Sequence, residues 1–210
     1  MKKLILSAIA VAFCALTWAQ SKEDIFNSGT DVTWLGLDFT QLKFIGDAAQ
    51  WKDVGEISDA NMRDKYFPGW NELFVKEQKR YDVAKAINRS EVKYALSVTE
   101  KANNSIKKPN FFTDDPNAYS HVTEQQIDGL VKKYDFQGNK GIGMLFFVES
   151  MSKGKEEAAM WVTFVDMNKK TVLFTKRLTE KSGGFGFRNY WAKTFNNALK
   201  DIDKDLKKWK

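Results

Sequence analysis

The stretch from residue 143 to residue 209 decides the fold. GMLFFVE (143–149), AAMWVTFVD (158–166) and TVLFTKRL (171–178) are followed by GGFG (183–186) and FRNYWAKTFNNALKDIDKDLKKW (187–209). Each of the three runs is apolar on both alternating sets of positions. Met160, Val162 and Phe164 point one way while Trp161 and Val165 point the other, and Met144, Phe146 and Val148 oppose Leu145 and Phe147. A strand with two apolar faces needs cover on both. The links Met167-Asn168-Lys169-Lys170 and Ser152–Glu157 are short and polar, so the three runs are expected to pair as an antiparallel meander.

In the last segment Phe187, Tyr190, Trp191, Phe195, Ala198, Leu199, Ile202, Leu206 and Trp209 recur at spacings of three and four, the pattern of one helix face. At about 1.5 Å per residue that helix spans roughly 30 Å, the width of a small domain. Its last turns carry Lys200, Lys204, Lys207 and Lys208, where positive charge complements the helix dipole.

Upstream, Val32 to Phe39 is a further strand, apolar on both faces and therefore interior, with Gly36 where another chain segment comes close. The run Leu42–Ile45 and Trp51 form a connection. Ser58 or Asp59 caps a short helix through Tyr66, which Pro68 is expected to stop before opening a second helix with Trp70, Leu73, Phe74 and Tyr81 on one face. Tyr81 to Ile87 is expected as a short edge strand. Residues 90–106 are expected as a helix through Val92, Ala95, Leu96, Thr99 and Ile106, with the alternation of Val92, Tyr94, Leu96 and Val98 leaving a strand as the alternative. Residues 107–120 form a surface loop long enough to carry function. Thr123 then caps a helix with Ile127, Leu130, Val131 and Tyr134 inward. The fold class is α/β, with α+β left open: a mixed sheet with a C-terminal three-strand antiparallel meander, covered by helices and closed by a long C-terminal helix.

Residues 1–19 have a positive start at Lys2 and Lys3, an apolar run from Leu4 to Leu16, and small residues at Thr17 and Ala19, the plan of a secretory signal peptide. The run is too short for a stable transmembrane helix. Phe13 before Cys14 argues against lipidation, which needs small residues at that place. Cleavage after Ala19 removes the only cysteine, so the mature chain forms no disulfide. It also removes Lys2 and Lys3 and takes the formal net charge from +6 to +4. The charges are interspersed, which falls short of a nucleic-acid footprint. Residues 20–210 form a single α/β domain of ordinary size.

Most apparent motifs fail on their chemistry. The glycines at 183, 184 and 186 precede a helix, yet lack the third glycine of a dinucleotide loop and the Gly-Lys-Ser/Thr of a P-loop. His121 is the only histidine, with no nucleophile signature beside it. Asp201, Asp203 and Asp205 mimic a calcium loop, but Leu206 stands where that loop needs glycine. No catalytic residue, no metal and no cofactor is therefore assigned. Arg188 opens a helix against its dipole and calls for a negative partner. Asp38, at the carboxyl end of a buried strand where α/β sheets hold ligands, is the candidate. Asp38 and Arg188 are the ligand-binding pair expected from sequence.

The motifs WLGLDF (34–39) and GFGFRNYW (184–191) resemble those of small, uncharacterised secreted proteins of Gram-negative bacteria. The order of elements is similar to periplasmic domains of the curli-secretion lipoprotein and TolB amino-terminal type. That resemblance implies binding and assembly rather than catalysis. The expectation is an exported soluble domain, a non-catalytic binding or assembly module of the bacterial periplasm or cell envelope. Its partner is an envelope protein or a glycan, with no nucleic acid and no stable membrane insertion after signal cleavage. The rival class is a hydrolase of carbohydrate or peptidoglycan using two carboxylates.

Overall fold

The computed structural model describes residues 20–46 and 57–210. The leader expected at 1–19 and the connecting residue Trp51 lie outside the described residues. The elements are α1 (Lys22–Ile25), β1 (Val32–Asp38), β2 (Lys43–Ile45), α2 (Asp59–Asn61), α3 (Phe67–Asn71), α4 (Leu73–Lys76), α5 (Val83–Ala86), β3 (Lys93–Tyr94), α6 (Ser97–Asn104), β4 (Phe112–Thr113), α7 (Glu124–Lys133), β5 (Ile142–Ser152), β6 (Glu157–Asp166), β7 (Thr171–Lys181) and α8 (Phe187–Asp205).

The seven strands of the described residues belong to one sheet. Along one edge β5 pairs in parallel with β1, from Val32 opposite Ile142 to Asp38 opposite Phe147, and then with β2, from Lys43 opposite Ser150 to Ile45 opposite Ser152. The short strands β3 and β4 lie outside β1 and β2, again in parallel. Along its other edge β5 pairs with β6, and β6 with β7, both antiparallel. The expected mixed sheet founded on a C-terminal antiparallel meander is thereby corrected. The sheet is α/β, curled and mostly parallel; β5 is the centre of the parallel set, and β6 and β7 are bonded to it. Hairpin links are local, whereas parallel partners are joined by long crossovers that leave no mark in the intervening sequence.

The two faces are covered by different helices. Trp34, Met144, Phe146, Val162 and Phe164 pack with Trp70, Phe74, Trp191 and Phe195 on one side; Leu35, Leu145, Phe147, Trp161 and Val165 pack with Val98, Ile127 and Val131 on the other. The periodic face read for the closing helix is the buried face of α8: Phe187, Trp191, Phe195, Ala198 and Ile202 are buried. A 3-10 turn, Leu206–Trp209, follows α8 and buries Trp209.

Four local expectations are changed or resolved. Leu42–Ile45 contains strand β2 rather than a plain connection. Pro68 does not stop the helix: a π-turn, Met62–Tyr66, widens the preceding turn, the Phe67 N–H bonds the Met62 carbonyl five residues back, and Pro68 takes the first turn of α3, where no donor is needed. Residues 81–87 hold α5, capped by Asp82, whose Oδ1 accepts from Lys85 N at 2.9 Å. Residues 90–106 divide between the two readings, β3 and then α6.

The outer edge of β1 is completed without a full strand. β3 pairs only with Thr33 and Trp34, and Ala95 N bonds the Trp34 carbonyl at 2.9 Å. Beyond that point side chains substitute for backbone. Thr99 Oγ1 donates to the Leu35 carbonyl at 2.7 Å. Asn71 Oδ1 accepts from Leu37 N at 2.7 Å while Asn71 Nδ2 donates to the Leu37 carbonyl at 3.1 Å. Asn103 Nδ2 donates to the same carbonyl at 3.0 Å, and Asn103 Oδ1 accepts from Phe39 N at 2.7 Å. Gly36 permits this approach: at φ +105° it kinks the strand, and a β-carbon there would collide with Thr99 Oγ1 and lie 2.5 Å from Asn71 Oδ1.

Leaving one buried backbone donor unsatisfied costs about 1–3 kcal/mol. Asn71→Ala strips Leu37 N of its partner and is expected to lower the unfolding free energy by about 2–3 kcal/mol in urea denaturation. Gly36→Ala is expected to cost at least as much, because strain at positive φ adds to the collision.

Candidate binding site

Strand β1 ends at Asp38, whose residue is only 1% exposed. Its Oδ1 accepts from Thr40 N at 2.7 Å and Thr40 Oγ1 at 2.6 Å, which fixes the turn toward β2. Its Oδ2 accepts from Tyr134 Oη at 2.5 Å. No cation of the described residues lies within ion-pair distance of it, so burial pushes the Asp38 carboxyl up against the opposing pull of these three donors. Burial, reinforced by the Asp38 carboxylate, drives the Tyr134 hydroxyl well above its ordinary range.

A cleft of about 310 Å³ opens over this pair. Val98, Lys101, Ala102 and Ser105 line it from α6 and the residue after it, spaced as one helix face. Leu130 and Lys133 line it from α7, and Tyr134 from the extended residue that ends that helix. The start of α7 is fixed by a capping box: Thr123 Oγ1 accepts from Gln126 N at 3.3 Å and Gln126 Oε1 accepts from Thr123 N at 2.7 Å. Asp38, Thr40 and Gln41 form the floor, and Asp135 completes the rim. Lys101 bonds Asp135 at 2.6 Å, and this ion pair holds the Asp135 carboxyl below its usual range.

The two residues expected to act together are separated. Asp38 turns to Tyr134 on the face covered by α7. Arg188 is exposed at the start of α8, over the other face, where its Nη2 donates to the Gly69 carbonyl at 3.3 Å and its own carbonyl accepts from Trp70 Nε1 at 2.9 Å. A backbone carbonyl takes the place of the acid that the helix dipole calls for. Asp38 thus lies in a cleft without Arg188. The companion residue, Tyr134, is one that the sequence placed on the inward face of its helix and read as core.

A second polar cluster escaped sequence reading. Glu149 is fully buried at an irregularity of β5, where its register against β6 shifts between Val148 and Ser150. Its Oε1 accepts from His121 N and Val122 N, each at 2.7 Å, and its Oε2 pairs with Arg177 Nε at 2.7 Å. Arg177 Nη2 donates to the Tyr119 carbonyl at 2.8 Å. The His121 ring lies between two carbonyls, Ala118 at 2.7 Å and Gln41 at 3.0 Å. The cluster therefore ties the 116–122 segment to the sheet and to the floor of the cleft. The signal was a lone glutamate closing an apolar strand, which demands partners that the sequence does not name.

At the far end of β7, Glu180 is buried beside Asp201 of α8. Burial first, and then the Asp201 carboxylate, push the Glu180 carboxyl up to about 8. Asp201, Asp203 and Asp205 lie on helical backbone, and among the described residues there is no group of three or more His, Cys, Asp or Glu that could hold a metal ion. No helix of the described residues is long and apolar enough to cross a membrane. Trp209, whose exposure would have favoured an aromatic binding strip, is buried; the large apolar side chains that stand out are Val75 and Phe185. No protein-family model matches this chain, and no curated protein and no solved structure matches it.

These clusters define two stability measurements. Arg177→Ala leaves a buried carboxylate with backbone donors alone and is expected to cost about 3 kcal/mol, whereas Glu149→Gln, which can still accept from His121 N and Val122 N, costs less. Folded Glu180 holds its proton up to about 8, while unfolded Glu180 releases it near 4.5. The native state then binds more protons across that window, so unfolding free energy falls as pH rises through it and levels above about 8. Glu180→Gln is expected to flatten that part of a pH series of denaturation curves.

Proposed function

We propose that the protein is an exported, non-catalytic binding module of the bacterial periplasm or cell envelope, and that its ligand site is the cleft over Asp38. The observation that carries this reading is a preformed concavity between two helix faces, walled by Val98, Ala102 and Leu130, with a small number of fixed polar groups at its base. Ligand sites have this make-up: apolar walls for affinity and a few placed polar atoms for orientation. The position supports it too, since the cleft lies at the carboxyl end of β1, which is parallel to β3 and β5. The leader-like residues 1–19 support export.

The hydrolase reading has one observation in its favour: Asp38 and Asp135 line the same cleft, with carboxyls shifted in opposite directions. Such divergence is what an acid and a base need. Against it, Asp135, the carboxylate that would have to act as base, is tied to Lys101 and accepts from Gln137 N. Groups committed to neighbours hold a shape; proton transfer to a substrate requires reach.

The mature protein purified from an export-competent host is expected to begin at Gln20 by mass spectrometry. Ala102→Trp, which fills the cleft from the partly buried face of α6, is expected to keep the native circular dichroism and abolish saturable binding of ligands recovered from envelope extracts. Turnover of peptidoglycan or polysaccharide that disappears in both Asp38→Asn and Asp135→Asn would replace this reading with the hydrolase.

A further inference from the structure

The charges around the cleft do not balance locally, and the imbalance has a direction. At the floor, Asp38 is buried with three donors, all formally neutral: Thr40 N, Thr40 Oγ1 and Tyr134 Oη. A carboxylate offers about four lone-pair positions, so Oδ2 can accept once more. A buried carboxylate with no counter-ion is unfavourable, and a cation placed there would offset that cost. At the mouth, Lys101 is answered by Asp135, while exposed Lys133 makes no ion pair with any described residue. Between floor and mouth the walls are formed by Val98, Ala102 and Leu130, with the Ser105 hydroxyl committed to the Ala102 carbonyl.

Three ligand chemistries can be compared against this pattern. A metal ion needs several anionic or imidazole ligands, and the floor supplies one carboxylate. A sugar hydroxyl could donate to Oδ2 but would leave the charge unneutralised and press its other hydroxyls against Val98, Ala102 and Leu130. An ammonium group supplies both the missing proton donor and the missing charge. A simple amine would leave Lys133 unanswered, and a diamine would meet it with like charge.

We propose that the cleft takes a small zwitterion, with a primary ammonium on Asp38, an aliphatic body between α6 and α7, and a carboxylate at Lys133; this rests on the reading of the cleft as the binding site. The floor fixes which end enters first, because the buried partner is the carboxylate and the exposed one the lysine. The mouth acts as a filter on net charge.

The test is an amide chemical-shift titration of the whole mature protein with four probes of equal chain length: 6-aminohexanoate, hexylamine, hexanoate and hexanol. The zwitterion is expected to bind tightest and to move amides of residues 38–41, 98–105 and 130–135. Lys133→Gln is expected to weaken 6-aminohexanoate about three- to fivefold, the worth of an exposed ion pair, and to leave hexylamine unchanged. Asp38→Asn is expected to erase the preference for amines; should that variant fail to fold, the exposed Lys133→Gln carries the test. Hexanoate binding as tightly as 6-aminohexanoate, or indifference of the zwitterion to Lys133→Gln, overturns the proposal. Hexanol shifting the cleft amides while no charged probe does so overturns the charge assignment and leaves the cleft as a binding site. If none of the four moves those amides at millimolar concentration, both readings fall.

Discussion

The edge of β1 depends on two asparagines. A parallel sheet whose outer strand stops after two residues would expose a row of buried N–H and C=O groups, each costing about as much as a lost hydrogen bond. Asn71 and Asn103 meet that requirement because a side-chain amide carries the same donor and acceptor as a peptide unit. Both address Leu37, one from the end of α3 and one from the end of α6, so the backbone of a single residue pins two helices to the sheet. Gly36 is a condition for it, since a side chain there would stand where Asn71 Oδ1 and Thr99 Oγ1 sit.

This substitution of side chain for strand shapes the neighbouring cleft. With α6 docked against the sheet edge, the chain can break between β1 and β2 without leaving the sheet, and β2 resumes along the same β5. The break is where Asp38 lies buried, with Thr40 and Tyr134 holding it. One step further along β5, the Glu149 irregularity draws in Arg177 and the backbone of residues 121 and 122. Two buried carboxylates thus stand near the same interruption with different companions: Glu149 has a guanidinium, and Asp38 has only neutral donors. A buried carboxyl that the chain itself leaves without a cation, at the base of a concavity, sets the Asp38 cleft apart from the Glu149 cluster.

The legibility of the sequence varied with how local the determining interaction was. The face of α8, the cap at Thr123, the cap at Ser58 and the alternation of Met160 against Trp161 were readable because each involves residues within a turn or two of each other. The end of a helix at Pro68 was misread because a π-turn, a minor rearrangement of the same local bonds, made the proline harmless. Residues 81–87 looked like a strand and form a helix because the Asp82 cap outweighs a weak alternation.

The sequence by itself determined that this chain has apolar strands needing cover on two sides, an amphipathic closing helix, and a lone carboxylate at the end of an interior strand. These properties are periodic or positional, and the covalent chain fixes them. Only the tertiary structure decided that the sheet is mostly parallel about β5, that Asp38 faces Tyr134 rather than Arg188, and that Asn71 and Asn103 complete an edge. Parallel pairing and buried polar contacts join residues far apart in the chain, and what selects them is the cost of leaving a buried donor, acceptor or charge unmet, which belongs to the folded interior and to no single segment.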